Sequence, residues 1–398
     1  MALSLALLAL ALLVPVLLAF AALADTELAV AANQLRASQA RALAESGFEY
    51  ALRALSRAML ADPTDPLLSG PVAPAPLDGR TFLPLGRTGG FTVRAASHAS
   101  GDPQVRVITS VGWTPTDDPA DPRAKAHRQI VADVVAIPHP GAHAACALCV
   151  KGPLTLGGSV AISGANGDRA CGEDLKYGTL TRDATMVSGP VTISGGAGAS
   201  AERRPAAEFD PVTFSPAVLD ALRALARRNG SYFGPGYPAG GQTSDGGTTW
   251  SGRVVFDAAH PVPDGVVFVD TSDGRPVDPQ ATTFSTLAAV TLGEGAVAPP
   301  AEAFRGWLVV NGSLEIAAGV ALRGLIYALD RLTNQAGGVT SLEGLAVALD
   351  VQNAGGSRIE PAGAGSMTIR FDCGLAGASE LVPHGFVLVR GSYREVAD

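Results

Sequence analysis

Charge is scarce in this sequence. Only 17% of the 398 residues are charged, and no run of basic residues occurs. With a formal net charge of -8 and no basic stripe to neutralise phosphates, the composition argues against a nucleic-acid partner. Aromatic residues are also thin, at 6%, whereas glycine reaches 47. Few large rings and many glycines favour tight turns and small packed positions, and so a β-rich architecture over a helical bundle. The length suits two or three domains. No G-x-S-x-G, Walker loop or dinucleotide fingerprint is present, and the chain reads as a non-enzyme that needs no cofactor.

Charge is absent altogether from Met1 to Ala24; the first acids are Asp25 and Glu27. At roughly 1.5 Å per residue such a run makes about 36 Å of helix, enough for a hydrocarbon core of roughly 30 Å. The sequence therefore predicts a single transmembrane segment over 1–24, with Pro15 tolerated as a kink. A cleaved signal is the competing reading, because Ala22-Leu23-Ala24 before Asp25 has the A-x-A form. No glycine or proline then intervenes until Gly47. Leu28, Ala32, Leu35, Leu43, Leu52, Leu55 and Met59 recur at helical spacing. This predicts one continuous helix from about residue 2 to about 60, stopped at Asp62-Pro63.

Beyond Leu77 the period becomes two. Phe91, Val93 and Ala95 alternate with Thr92, Arg94 and Ala96, and Val105, Val107, Thr109 and Val111 alternate with Arg106, Ile108 and Ser110. Ile130, Ala132, Val134 and Ala136 follow. This predicts an antiparallel meander covering the amphipathic half of the helix, together a 25–137 domain of α+β type.

The segment Leu43-Ala44-Glu45-Ser46-Gly47, following an apolar helix, resembles the N-terminal region of PilX-type minor pilins of bacterial type IV pili. Ser110-Val111-Gly112 is similar to a strand ending of the same family. Position 5 is Leu5, where major pilins carry glutamate, and no basic leader is visible. The resemblance implies a structural pilus component, held by its helix in the bacterial inner membrane with the C-terminal region extracytoplasmic, then assembled into a surface filament. Leu5, Leu8, Leu12, Pro15 and Leu18 would lie in the filament core. Partners would be other pilin subunits, the assembly machinery and membrane lipid. A role in initiation or at the tip, and in adhesion to an unknown surface ligand, would suit a bulky C-terminal domain.

From residue 138 to 398 the texture changes. Gly152, Gly189, Gly265, Gly306, Gly324 and Gly344 each begin a short apolar string. The last three are spaced by 18 and 20 residues, which predicts all-β structure of β-helix or solenoid type. Leu308, Val310, Ile326, Ala328, Ala346 and Ala348 are its inward candidates. A helix interrupts it near 215–229, with Ser215 as N-cap, Pro216 at N1 and Gly230 as stop.

Cys146, Cys149, Cys171 and Cys373 are the disulfide candidates of an exported chain. Three pairings are open, with Cys149–Cys171 slightly attractive. His139, His143, Cys146 and Cys149 have zinc-ligand chemistry, weakened by Pro140 and Gly141, which oppose a helix presenting both histidines. The loop Thr116–Asp121 has oxygen ligands for calcium but no calcium-loop spacing. Asp330, Asp350 and Asp372, with Arg331 and Arg370 nearby, read as turn residues, though a polysaccharide-cleaving β-helix would cluster such groups. The alternative function is a secreted β-solenoid adhesin or carbohydrate-binding protein whose N-terminus is a cleaved signal.

Overall fold

The computed structural model describes every residue except 1, 62–64, 88, 119–124, 166–175, 196–200, 239–249, 276–285, 298–302, 353–354, 379 and 397–398. The side chains of 2–9, 11, 12, 21, 22, 25, 61, 142, 143, 206, 207, 211, 237 and 238 are also outside the description. The chain forms two compact units, 1–134 with 388–398 and 135–387.

In the first unit one helix, α1 (Ala2–Ala61), precedes four strands. These are β1 (Asp78–Pro84), β2 (Gly90–Ser97), β3 (Val105–Thr114) and β4 (Ala126–Ile137). They lie in the order β1-β2-β3-β4, and β1, β2 and β3 pair antiparallel. The terminal strand Arg394–Val396 returns to pair antiparallel with β4, Arg394 opposite Val131. On β3 the buried set is Arg106, Ile108, Ser110 and Gly112, while of the valine set only Val105 is buried and Val107, Thr109 and Val111 are half-buried. Arg106 is buried against backbone carbonyls. It donates to the carbonyl oxygens of Gly70 (2.8 Å) and Leu68, which ties that loop to the sheet.

In the second unit, α2 (Pro140–His143) leads into β5 (Cys146–Val150), β6 (Leu154–Leu156), β7 (Ser159–Ser163), β8 (Tyr177–Thr181), β9 (Thr185–Val187), β10 (Val191–Ser194) and β11 (Ala201–Arg203). Helix α3 (Pro216–Asn229) is followed by β12 (Tyr232–Gly234), β13 (Tyr237–Pro238), β14 (Arg253–Phe256), β15 (Gly265–Val269) and β16 (Ala288–Leu292). Then come β17 (Phe304–Val310), β18 (Gly312–Ile316), β19 (Ala321–Ala328), β20 (Leu332–Asn334), β21 (Val339–Ala348), β22 (Ser357–Ile359), β23 (Ser366–Phe371) and α4 (Cys373–Gly377). A twelve-stranded sheet has the order β10-β7-β23-β21-β19-β17-β15-β12-β13, with β5 joined to β21 and β8, and β11 to β8. A seven-stranded sheet has the order β14-β16-β18-β20-β22-β6-β9. Apart from β12–β13, the pairs in both sheets are parallel.

The predicted fold class and location need correction. Among the described residues no helix is long and apolar enough to cross a membrane. A single-pass inner-membrane anchor is therefore not supported. Nor is the C-terminal region a solenoid wound in chain order. Its strands form two large parallel sheets in which the chain's early strands β6 and β7 lie beside the late strands β22 and β23.

The glycine strings divide accordingly. Gly265, Gly306, Gly324 and Gly344 are direct neighbours in successive strands, each with positive φ, from 98° to 136°. A Cβ on Gly324 would lie 1.8 Å from the Gly306 carbonyl oxygen, and one on Gly344 2.0 Å from that of Gly324. Only glycine permits this bend at this spacing. Gly152 and Gly189 do not belong to the column. Gly152 abuts the Asp350 carboxylate, and Gly189 lies against Gly158.

Gly324→Ala is expected to destabilise the protein by at least about 2 kcal/mol, from strain plus a backbone clash. Gly337→Ala, where nothing lies within 4 Å, is expected to change stability by no more than about 0.5 kcal/mol. Urea unfolding of the two variants checks the contrast.

Candidate interaction helix and buried clusters

Helix α1 changes character along its length. Its large apolar residues are exposed through Leu10, Leu17 (63%), Phe20, Leu28 (70%) and Leu35. From Ala40 on a stripe is buried: Ala40, Leu43, Ala44, Phe48, Ala51, Leu55 and Ala58. The spacing of three and four is that of one helix face. The stripe predicted from sequence ran through Leu28, Ala32, Leu35, Leu43, Leu52, Leu55 and Met59, and Leu43 and Leu55 are indeed buried. Of these, Leu28 and Leu35 are exposed, and Leu52 and Met59 only half-buried. Alanine spacing was the missed signal.

Small residues sit on this face because the sheet comes very close. A Cβ on Gly112 of β3 would lie 2.0 Å from the Ala40 carbonyl oxygen and 2.4 Å from the Ala44 nitrogen. One on Gly47 would lie 2.3 Å from the Ser110 Oγ. The two short motifs singled out in the sequence, Leu43–Gly47 and Ser110–Gly112, are thus brought together as the two sides of one seam. Within the first motif, Glu45 faces solvent and pairs with Arg41 (3.2 Å), while the Ser46 hydroxyl donates to the Ala42 carbonyl (2.9 Å). Arg41 and Arg128 both reach Glu395 of the terminal strand, at 3.8 and 3.5 Å. Exposed pairs of this kind contribute little, on the order of 0–1 kcal/mol.

Of the filament-core candidates, Leu18 is exposed and Pro15 lies within α1. Leu5, Leu8 and Leu12 have helical backbone, and their side chains lie outside the described residues.

In the second unit Cys146 and Cys149 form a disulfide, with Cα atoms 5.6 Å apart. The favoured Cys149–Cys171 pairing is therefore replaced by a local one. Cys373 is also disulfide-bonded, and Cys171 lies outside the described residues. The local bridge removes both thiols from the zinc-like set. Pro140 and Gly141 do enter a helix, the single turn α2, because proline fits a first helical position. Among the described residues no His, Cys, Asp or Glu group of three could hold a metal ion. Of the acidic loop, Asp117 and Asp118 are described and 119–121 are not.

The acids of the later strands serve structure. Asp330 accepts from Ser313 Oγ (2.7 Å) and from the Gln352 amide (3.3 Å), and pairs with Arg331 (3.3 Å). Asp372 caps α4 by accepting from the Leu375 amide at 2.9 Å. Asp350 turns the chain at φ 46°.

The strongest buried charge centre was not foreseen. Ser215 caps α3 through the Val218 amide, and Gly230 ends it in a left-handed conformation. Val218, Leu219, Leu222 and Leu225 turn inward, and Arg223 goes with them. Its guanidinium meets the fully buried Asp270 at 2.8 and 3.1 Å. Asp270 also accepts from Tyr232 Oη (2.8 Å), Asn311 Nδ2 (3.1 Å) and the Thr271 amide (2.9 Å). Burial pushes the Tyr232 hydroxyl up to about 12, so it remains a donor. The carboxylate is fully occupied by protein groups, and the cluster clips α3 onto β12 and β15.

A second cluster is aromatic. Phe214 stacks on Trp307 and on Tyr327, at 5.6 and 4.5 Å. Trp307 Nε1 donates to the Ala376 carbonyl (2.9 Å). His384 approaches Trp307 and lies 4.9 Å from His139. Its Nε2, 2.6 Å from the Gly377 carbonyl oxygen, must carry the proton. Burial pushes both imidazoles down, and for His139 the neighbouring His384 adds to the effect.

Asp270→Ala takes from Arg223 its fully buried partner and leaves it only Asp220, half-exposed on the same helix, and is expected to cost about 3 kcal/mol, read as a lowered denaturant midpoint. The histidines give a pH limb. Their folded pKa lies below the unfolded value of about 6.5, so the unfolded chain binds more protons as pH falls below that point. Stability is present above it and lost on acidification. Thermal melts from about pH 7.5 to about 5 should show this loss, reduced in His384→Gln.

No family model matches the chain, and no curated protein matches it. A search of solved structures found similarity to the competence-associated pilin ComZ from Thermus thermophilus, covering 91% of this chain and 98% of that one, with a TM-score of 0.24 and 13% sequence identity.

Proposed function

We propose that the chain is a structural, non-catalytic subunit of a type IV pilus or related filament. In this reading the exposed half of α1 packs among the helices of neighbouring subunits. The observation that carries it is the continuation of α1, as one helix, from a seam buried on its own sheet into a row of exposed large apolar residues. Each such side chain would gain about 1.5–3 kcal/mol on burial, and a regular helix presents them in a row suited to ridge-and-groove packing. The resemblance of Leu43–Gly47 and Ser110–Gly112 to PilX-type minor pilins supports the same reading, since both segments build the seam that holds the helix to its sheet. The partners would be other pilin subunits and the assembly machinery.

The large second unit suits a tip or initiating position, because repeated along a shaft it would crowd its neighbours. Adhesion would then be its outward role. Immunogold labelling uniformly along filaments would sink the tip assignment.

The helix reading is tested by Leu17→Lys with Phe20→Lys. Both side chains face solvent, so the thermal midpoint should stay unchanged. Incorporation into sheared filaments, read by immunoblot, should fall at least about tenfold, which corresponds to losing about 1.4 kcal/mol of contact. Wild-type incorporation of the doubly charged helix would overturn the proposal.

A further inference from the structure

The two parallel sheets of the second unit end differently. At one end α3 packs on β12 and β15. There the terminal strand β14 has its apolar residues Val254 and Phe256 only 1% exposed, with Phe233 edge-on to Phe256 at 5.1 Å. At the other end the terminal strands are β9, β10 and β11, and among the described residues no strand pairs with their outer sides.

The apolar columns run out at this open end. In the seven-stranded sheet the in-register column Leu292, Ile316, Asn334, Ile359, Leu156 is 0% exposed throughout, and its last member, Val187, is 55% exposed. In the twelve-stranded sheet Leu342, Ile369 and Ile162 are buried, and the next rung, Ile193, is half-exposed. Val191, stacked on the buried Val160, is half-exposed too. A core that stacks strand on strand needs a polar cap where it stops, and β9 and β10 have none among the described residues.

Along β9 and β10 the edge also lacks the usual protection. Open strands are normally blunted with charges or proline. Ala184–Ser194 contains no charged residue, and its single proline, Pro190, lies between β9 and β10. The charges of this end lie on β11 and beside the edge strands: Arg182 pairs with Asp183 at 2.8 Å and Glu202 with Arg204 at 3.3 Å, while the exposed Arg203 donates to the Arg182 carbonyl at 3.0 Å.

We propose that this end is the docking surface for a second copy of the chain, the two open ends meeting about a two-fold axis with edge strands pairing across it. A lone extended peptide could pair with one strand and would leave the other rungs uncovered. A partner must offer three strand edges of matching outline, and the same end of a second copy offers them. The charges at this end are of both signs, Glu202 beside Arg203 on β11, so an isologous contact does not set one sign alone against itself. Eleven residues of Ala184–Ser194 and three of Ala201–Arg203 fall short of the roughly 20–30 residues a side of a standard interface. The dimer is therefore concentration-dependent. This surface is separate from α1, so the proposal stands or falls apart from the filament reading.

The test is cross-linking of the full chain, kept in non-ionic detergent to cover the exposed apolar residues of α1. Among the described residues no cysteine is free. Thr192→Cys on the open edge and Val339→Cys, exposed on β21, are treated with a short bis-maleimide over a range of concentrations. The expected result is a concentration-dependent dimer for Thr192→Cys at least about tenfold above that for Val339→Cys. Adding Val187→Lys should return it to the control level. Should Val187→Lys fail to melt at the wild-type temperature, Met186→Lys, whose side chain is exposed, replaces it. Equal cross-linking of the two cysteines, or a dimer that survives the lysine in a folded variant, would overturn the proposal. Association through α1 would raise both cysteine variants alike and so counts against the edge pairing.

Discussion

The second unit depends on a steric exclusion: at each strand bend a carbonyl oxygen lies where the next strand's β-carbon would go. Gly306, Gly324 and Gly344 meet this condition one above another, each against the carbonyl oxygen of the glycine before it, with Gly265 supplying the first. Because all four strands turn at the same rung, the residues that follow stay in register. Val266–Val269, Trp307–Val310, Leu325–Ala328 and Leu345–Ala348 are therefore buried in every strand. A slip by one residue would put a side chain at the bend and reverse the faces of all that follow. The surrounding packing relies on that fixed register, since Trp307 can reach the Ala376 carbonyl, and Tyr327 can accept from the Phe214 amide, only from set positions.

This part of the fold was legible because the constraint leaves a local trace, a glycine before an apolar string. The trace is not specific. Gly152 and Gly189 begin similar strings and occupy different places, one against an aspartate and one in a turn. Strand order was not legible at all. Nothing local in Leu154–Leu156 or Ser159–Ser163 says that these strands will sit beside β22 and β23, which come far later in the chain, Ile359 opposite Leu156 and Ile369 opposite Ile162. Parallel pairing over such separations is chosen by the fit of whole columns, not by any one residue.

The first unit shows a different failure. The helix was visible in its uninterrupted run, yet the buried face was misjudged because large residues were weighted over small ones. Where helix and sheet approach as closely as at Gly112 and Ala40, alanine, serine and glycine are the residues that fit, and leucines such as Leu28 and Leu35 are left outside. The same preference put Ser110 and Gly112 inside β3 and left Val107 and Val111 on the less buried side. Arg106 and Arg223 were hidden for a related reason. A buried arginine looks like any surface arginine until its acceptors, the Leu68 and Gly70 carbonyls or Asp270, are brought in from distant sequence.

Two surfaces of this molecule expose what protein interiors normally hold, and they differ in what each can accept. The apolar row on α1 has its backbone bonds satisfied within the helix, so a partner need only supply apolar volume. Dispersion and solvent exclusion have little directional demand, and such a row can meet helices of unlike sequence and at more than one stagger. The open edge at β9, β10 and β11 offers backbone donors and acceptors at the fixed spacing of a strand. A partner half a residue out of register would bury polar groups without bonds, at a cost comparable to the apolar gain. The helix is thus suited to a family of related neighbours, and the edge to a single geometry, which a copy of the same chain supplies without any further sequence having to match.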